Sequence, residues 1–343
     1  MSTDSIALMG APGSPYTRKM LAMLRYRRIP YRLLMSGSEQ AQRMPPAKVG
    51  LLPTFYFPDE SGALEAVVDS TPIIRTLEQM FLERSVIPSD PALAFIDYLI
   101  EDYGDEWLTK AMFHYRWYYP ADIERAGDIL PRWRGLMASD EELAPLSELI
   151  RERQISRLYV VGSNDTTAPV IEASYRRFLE LFSAHLRHGP FVLGGRPGAA
   201  DFALFGQLTQ LTAFDPTPMA LTLEVAPQVY AWTSVMEDLS GLEPTEDHWH
   251  DRESLPDTLR DLLTEIGRVY VPALLANAQA VESGLDAVET TIDDLPWTQQ
   301  PFPYQAKCLQ WLRQERARLD LQDRAFVDGL LEGTGCDALF TKG

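Results

Sequence analysis

The sequence contains little cysteine and no long uncharged apolar run. Only Cys308 and Cys336 occur in 343 residues, which argues against a disulfide framework and predicts a reducing, cytoplasmic location. The absence of a long apolar run argues against a transmembrane helix, and the first residues lack the basic and then apolar pattern of a signal peptide. We therefore expect a cytoplasmic protein without a membrane partner.

Positive charge is also scarce. Lys and Arg number 31 against 49 Asp and Glu, which gives a formal net charge of −18. Because nucleic-acid binding requires Lys and Arg to neutralise phosphates, this balance argues against a nucleic-acid partner. His248 and His250 flank Trp249, but two histidines without a third nearby ligand are a weak metal pattern, and no metal site is predicted.

Residues 1–85 have the pattern of a small α/β domain, with the order βαβ and then ββα. Apolar runs at 6–9, 30–34 and 54–57 predict strands, and a fourth strand ends at Val67-Val68. The Gly/Pro turn at 10–15 places Ser14 at or next to a helix N-terminus, where free N–H groups favour an anion. Asp69-Ser70-Thr71-Pro72 predicts a second helix start with a capping side chain.

Three motifs in this region resemble the thioredoxin-like N-terminal domain of the glutathione transferase superfamily. Ser14-Pro15-Tyr16-Thr17 stands where glutaredoxins carry Cys-Pro-Tyr-Cys. Leu52-Pro53 resembles the family's Val-Pro, in which the proline is cis, and Asp69-Ser70 resembles its Glu/Asp-Ser pair. Because Ser and Thr replace both cysteines, dithiol redox chemistry at this turn is excluded.

The resemblance implies that glutathione is the co-substrate and that Ser14 is the catalytic residue. The Ser14 hydroxyl would hydrogen-bond the glutathione sulfur and stabilise the thiolate that attacks a small hydrophobic electrophile. Tyr16 and Thr17 are alternatives for the group that reaches sulfur, and Ser14 would then be a turn residue. Tyr16 is also a candidate for the substrate pocket.

The resemblance also implies a binding site for the glutathione backbone. Leu52, before Pro53, would pair with the cysteinyl unit, Ser70 would hold the γ-glutamyl carboxylate, and Asp69 would accept from the ammonium. Lys48 would reach the glycyl carboxylate. Each residue has a structural alternative: Pro53 as a trans loop proline, Ser70 as an N-cap alone, and Lys48 as a solvated side chain.

After a linker at 85–91, residues 92–243 have the composition of an all-helical domain. Asp97, Glu101 and Asp105 recur at four-residue steps beside an apolar stripe, which predicts a solvated acidic face. Three aromatic residues are candidates for the electrophile pocket, with core packing as the alternative: Phe113, Tyr115 and Trp117. His114 is interpreted as a hydrogen-bonded structural residue.

Two later stretches complete this region. Residues 122–165 are polar and poorly periodic, which predicts a long connection and a helix that starts near Pro145. Residues 191–202 resemble the transferase signature before the central helix, where Asp201 matches the family's capping Asp and Gly198 replaces its Ser or Thr.

Residues 244–343 form an extension that we expect to be helical and that has no counterpart in the family pattern. It would cover the active-site cleft, extend the helical domain or form a partner surface. Cys308 is predicted to be buried and Cys336 to be exposed. The resemblance as a whole implies a homodimeric glutathione transferase. A non-catalytic binding protein and a glutathione-dependent isomerase or lyase remain as alternatives.

Overall fold

The computed structural model describes residues 5–341. Its strands are β1 (Ile6–Gly10), β2 (Tyr31–Met35), β3 (Thr54–Pro58), β4 (Leu64–Val67), β5 (Val288–Ile292) and β6 (Leu295–Gln299). The first helices are α1 (Pro15–Tyr26), α2 (Glu39–Gln42), α3 (Ser70–Met80), α4 (Pro91–Tyr103), α5 (Thr109–Tyr118), α6 (Pro120–Arg132) and α7 (Asp140–Ile155). The later helices are α8 (Ala168–His185), α9 (Ala199–Leu211), α10 (Pro216–Val225), α11 (Pro227–Met236), α12 (Asp257–Ser283), α13 (Pro303–Arg318) and α14 (Leu321–Leu331).

The N-terminal part is a four-stranded mixed sheet in the order β2-β1-β3-β4. β1 pairs in parallel with β2 and antiparallel with β3, and β3 forms an antiparallel hairpin with β4. Leu8 and Phe55 are aligned in this register and fully buried, so the apolar face of the sheet lies in the core. The predicted order βαβ and then ββα is confirmed, and it is the thioredoxin-like arrangement.

The region that follows the sheet is helical, and α9 lies at its centre. Every residue of α9 is buried, and α1 and α4 both pack against it. The prediction of a long connection at 122–165 is wrong, because α6 and α7 occupy most of this stretch. Ser139 starts α7 with a reciprocal capping box to Glu142, and α7 is mostly exposed, so it needs little apolar periodicity.

The start of α9 shows how the chain replaces a lost capping hydroxyl. Gly198 is the N-cap, and its N–H donates to Asp201 Oδ2 at 2.9 Å. The Ala200 N–H donates to Asp97 Oδ1 on α4 at 3.2 Å. A Cβ at position 198 would lie 2.1 Å from that oxygen. Asp97 therefore occupies the space of a capping side chain, which is why glycine stands here.

The acidic residues of α4 are not on a solvated face, and that expectation is wrong. Asp97 and Glu101 are 0% exposed, and Asp105 is 6% exposed, in a π-helical turn (Gly104–Leu108) that joins α4 to α5. Glu101 is covered by two cations, with Lys19 Nζ at 2.9 Å and an Arg75 guanidinium nitrogen at 3.0 Å. Ion pairs and the C-terminal segment therefore surround these carboxyl groups in place of solvent.

The C-terminal segment (residues 257–341) packs against the preceding helices. α12 contacts α8 and α4, and α13 packs on α12 and α4. Tyr270 of α12 donates to Asp102 Oδ2 at 2.6 Å, and Gln305 of α13 donates to Glu106 Oε2 at 3.0 Å. Hydroxyl and amide donors of this segment thus satisfy carboxyl groups of the α4–α5 region.

Two details of the segment differ from the sequence-based expectations. β5 and β6 form a hairpin whose turn residues Asp293 and Asp294 have φ of 54° and 59°, conformations that Asp tolerates better than most residues. Cys336 is fully buried, so the prediction of an exposed thiol is wrong. Its Sγ lies 3.1 Å from the Leu263 carbonyl oxygen, and Gly267 lets the backbone at 334–336 approach α12 closely.

Candidate functional site

The turn between β1 and α1 places Ser14 at the N-cap of α1. Ser14 Oγ accepts a hydrogen bond from the Thr17 N–H at 3.2 Å and donates to the Leu52 carbonyl at 3.3 Å. The second bond joins the turn to a loop 38 residues away. The turn itself is held from behind by the buried Arg116, which donates to the Gly13 carbonyl at 3.0 Å. Ser14 is half-buried and directly precedes the positive end of a helix.

Tyr16 and Thr17 point to other partners. The Tyr16 hydroxyl donates to the Asp105 carbonyl at 2.7 Å, and burial raises its pKa well above the ordinary value. Thr17 is fully buried, and its Oγ1 accepts from the Ala11 N–H at 3.3 Å. Of the three side chains, that of Ser14 is the one that bonds the Leu52-Pro53 loop.

The loop before β3 carries a backbone donor that is unpaired among the described residues. The Leu52–Pro53 peptide bond is cis, as the resemblance implies. The Leu52 N–H has no acceptor among residues 5–341, and its carbonyl accepts only the Ser14 hydroxyl there. Leu52 is half-buried, so this N–H is a donor that an extended peptide can use.

Asp69 and Ser70 lie at the start of α3. Asp69 is the N-cap with φ 83°, an uncommon conformation for a residue other than glycine. Its side chain makes no capping bond, contrary to the prediction; instead Asp69 Oδ2 accepts from the Tyr304 hydroxyl at 2.8 Å. Burial raises the pKa of Asp69, opposed by that hydrogen bond.

Lys19 links the two helix starts. Its Nζ lies 3.2 Å from Ser70 Oγ, 2.9 Å from Glu101 Oε1 and 2.6 Å from Asp105 Oδ2. Burial alone would lower the pKa of Lys19, but the carboxylates of Asp105 and Glu101 outweigh it, and the pKa is raised. The charged Lys19 ammonium group therefore lies within hydrogen-bonding distance of the Ser70 hydroxyl.

Lys19 and Tyr304 are the site residues that sequence reasoning missed. Lys19 belongs to the Arg18-Lys19 pair after the turn. It lies among the apolar residues of the predicted helix, and nothing in the sequence indicated that its ammonium group would be buried. Tyr304 lies 235 residues from Asp69, and no sequence pattern pairs the two.

The remaining candidates are more dispersed. Lys48 is exposed and forms no ion pair among the described residues. Tyr115 and Trp117 are 3% and 2% exposed and belong to the packed core, whereas Phe113 is half-buried. His114 lies 2.8 Å from Ser163 Oγ and 3.2 Å from Glu172 Oε1, in agreement with its structural interpretation.

The carboxyl groups behind the site carry perturbed pKa values. Burial raises the pKa of Asp105 to about 6 despite the neighbouring Lys19. Burial also raises the pKa of Asp102 to about 7 and of Glu106 to about 8. A buried region with more acidic than basic groups favours protons or cationic donors over further anions.

Other features of the described chain do not add to this site. A groove of about 260 Å³ is lined in part by linker residues 88–90, where Arg252 pairs with Asp90. Within residues 5–341, no three His, Cys, Asp or Glu side chains cluster as metal ligands would. A helix long and apolar enough to cross a membrane is likewise not found in this part of the chain.

Family models match two parts of this chain, one in the region of the N-terminal sheet and one in the helical region. Residues 8–85 match the family model described as glutathione S-transferase, N-terminal domain, and residues 148–233 match that of the C-terminal domain. A search of curated proteins finds no match.

Solved structures that are similar to this chain include bacterial and plant proteins. A glutathione transferase family member from Pseudomonas fluorescens, with two glutathione molecules bound, is 16% identical, with 68% of this chain and 89% of that chain covered and a TM-score of 0.43. A Tau class glutathione S-transferase from mango is 18% identical, with 76% and 100% covered and a TM-score of 0.41. Because the two family models match in order, the first on the sheet and the second on the helices around α9, the chain belongs to the glutathione S-transferase superfamily.

Proposed function

We propose that the protein binds glutathione at the corner formed by α1, the Leu52-Pro53 loop and the start of α3, and stabilises its thiolate for attack on a hydrophobic electrophile. The observation that carries this proposal is that α1 touches both other elements. Ser14, its N-cap, bonds the Leu52 carbonyl, and Lys19, little more than one turn later, bonds Ser70. Hydrogen bonds thereby join three motifs that are distant in sequence.

The chemistry proposed for Ser14 is to donate a hydrogen bond to sulfur. The Ser14 hydroxyl now donates to the Leu52 carbonyl oxygen at a donor–acceptor distance of 3.3 Å. This distance is long for a hydroxyl donor, so the bond is weak and readily exchanged. A hydrogen bond to the charged form lowers the pKa of a thiol, and the positive end of α1 acts in the same direction. The thiolate fraction at neutral pH rises, and the sulfur becomes the nucleophile.

The backbone and head group of glutathione fit the adjacent groups. The free N–H of Leu52 suits the cysteinyl carbonyl of an extended peptide. Ser70, with the Lys19 ammonium 3.2 Å behind it, suits the γ-glutamyl carboxylate at the start of an 11-residue helix. Asp69 suits the ammonium. Lys48, exposed on the loop, is proposed for the glycyl carboxylate.

The test combines calorimetry with a thiolate titration. Glutathione should bind the wild-type protein, and Ser14→Ala should raise the pKa of the bound thiol by about 1 unit, since a pKa unit corresponds to about one hydrogen bond. The pKa is read from thiolate absorbance near the ultraviolet edge, and turnover from conjugation of a generic chlorodinitrobenzene. Ser139→Ala, which removes the serine N-cap of α7, is the matched control.

Absence of glutathione binding at saturating concentration would refute the proposal. Normal binding with an unchanged thiol pKa in Ser14→Ala would transfer the role to a backbone N–H of the turn. The electrophile is proposed to approach past the half-buried Phe113, and a bulky Phe113→Trp change should alter KM more than kcat. A cytoplasmic homodimer is the proposed assembly, which light scattering after gel filtration measures directly.

A second candidate is a binding protein without turnover. The Tyr304 hydroxyl on Asp69 favours it, because a partner from the chain itself already fills the ammonium acceptor. Glutathione binding without conjugation of any of a panel of electrophiles would support this candidate.

A further inference from the structure

The C-terminal segment reaches into the candidate glutathione site through one side chain. Tyr304, in the first turn of α13, donates its hydroxyl proton to Asp69 Oδ2 at 2.8 Å. Asp69 is the residue that the proposed function assigns to the ligand's ammonium. A neutral hydroxyl and a charged ammonium are both donors, so an ammonium that approaches Asp69 Oδ2 competes with the hydroxyl for that oxygen.

Tyr304 is held in this position from both sides. Before it, the Phe302 N–H donates to Asn277 Oδ1 at 2.7 Å, and Asn277 Nδ2 returns a bond to the Phe302 carbonyl at 2.9 Å. After it, Gln305 donates to the Glu106 carbonyl at 3.1 Å and to its carboxyl group at 3.0 Å. Asn277 is fully buried. Four hydrogen bonds made by the neighbouring residues thus fix the backbone that carries the Tyr304 hydroxyl.

The charges around Asp69 favour a cation over a hydroxyl. Glu101 and Asp105 lie near Asp69, and Glu106 lies near Tyr304; the Lys19 ammonium also lies near Asp69, but it is engaged by Glu101 and Asp105. Burial keeps the Tyr304 hydroxyl protonated by raising its pKa. An ammonium group brings a positive charge to this acidic corner, which a phenol does not. Glutathione can therefore displace the hydroxyl, but only at the cost of the Tyr304–Asp69 bond.

We propose that Tyr304 is a specificity-determining residue of the glutathione site, which occupies the ammonium acceptor on Asp69 until a ligand with an ammonium group displaces it. The inference rests on the proposed function. It follows that glutathione binds more weakly than the Asp69-Ser70 pair alone would allow, because its ammonium group must first break the Tyr304–Asp69 hydrogen bond. Ligands without an ammonium group do not need Asp69 and leave Tyr304 in place.

The experiment compares Tyr304→Phe with wild type in the full-length chain. The variant keeps the ring, which packs 5.9 Å from Trp311 and 6.1 Å from Phe302 between ring centroids, and removes only the hydroxyl. Calorimetry should show glutathione binding about tenfold tighter, the effect of one hydrogen bond to a charged group. Tyr118→Phe is the matched control, because it removes a 2.8 Å tyrosine–aspartate bond to Asp165 far from the site.

A second ligand separates competition from a general loosening of the segment. Glutaryl-cysteinylglycine lacks only the ammonium of glutathione, and its Kd should be equal for wild type and Tyr304→Phe. Equal gains for both ligands would overturn the inference, as would unchanged or weaker glutathione binding by the variant. Binding of glutathione by the variant alone would confirm it. If neither protein binds either ligand, the proposed function fails, and the inference fails with it.

Discussion

Because Asp97 takes the place of a capping hydroxyl at the start of α9, a serine introduced at position 198 should destabilise the protein. Gly198→Ser would place a side chain where Asp97 Oδ1 now lies, since a Cβ at 198 comes within 2.1 Å of that oxygen. The carboxyl must move and release the Ala200 N–H. We expect the substitution to lower the free energy of unfolding by about 1–3 kcal/mol, the cost of a buried polar group left without its partner. Serine would otherwise be the better cap.

Gly198→Ser should lower the free energy of unfolding in wild type but raise it when Asp97 is already replaced by Ala. Asp97→Ala alone frees the Ala200 N–H and should cost about 1–3 kcal/mol. In Asp97→Ala/Gly198→Ser the hydroxyl has room to accept that N–H, so the double variant should be about 1 kcal/mol more stable than Asp97→Ala. The coupling between the two sites is then about 2–4 kcal/mol, which lies at or above the upper end of the range for residues in contact.

Urea unfolding followed by circular dichroism measures all four proteins. Gly241→Ser is the control, because a Cβ there meets open space, and its midpoint should stay near that of wild type. If the two single costs simply add in the double variant, Asp97 is not the replacement cap and the reasoning is refuted.

Three further predictions concern the buried polar groups. The raised pKa values of Asp102 and Glu106 mean that the folded state holds protons that the unfolded state releases at lower pH, so thermal stability should fall as pH rises from about 4 to 8. Glu106→Gln should flatten this fall in calorimetric scans, and an unchanged slope would contradict the assignment. Neither Cys308 nor Cys336 should react with a thiol reagent in the native protein, since burial raises the pKa of both thiols; fast labelling without denaturant would contradict it. Arg116→Met should lower the melting temperature by about 5 °C or more, because it leaves a fully buried Asp215 without its guanidinium partner; an unchanged melting temperature would show that this pair is dispensable.

The sequence predicted the parts of the fold that depend on local signals. The element order βαβ and then ββα and the helix start at Ser14 follow from apolar runs and turn residues, which act over a few positions, and the cis bond before Pro53 was implied by the family resemblance. The roles proposed for Ser14, Asp69 and Ser70 remain predictions, although α1 brings their loops together.

The failures share one physical cause, which is burial by distant parts of the chain. Asp97, Glu101 and Asp105 have the spacing of a solvated face, and only the folded chain reveals the cations and helices that cover it. Cys336 beside Gly335 resembles an exposed terminus, yet that glycine allows close packing on α12. Tertiary contacts of this kind leave no mark in a window of ten or twenty residues.

The bonds from Tyr270 to Asp102 and from Gln305 to Glu106 also set an order of events during synthesis. The donors lie 168 and 199 residues after their acceptors, so the acceptors leave the ribosome long before the donors exist. Until then Asp102 and Glu106 lack these two donors, and an emerging chain folds from its N-terminal part first. Because burial in the complete fold raises the pKa of both carboxyl groups, folding takes up protons at neutral pH and is an acid–base event as well as a packing event.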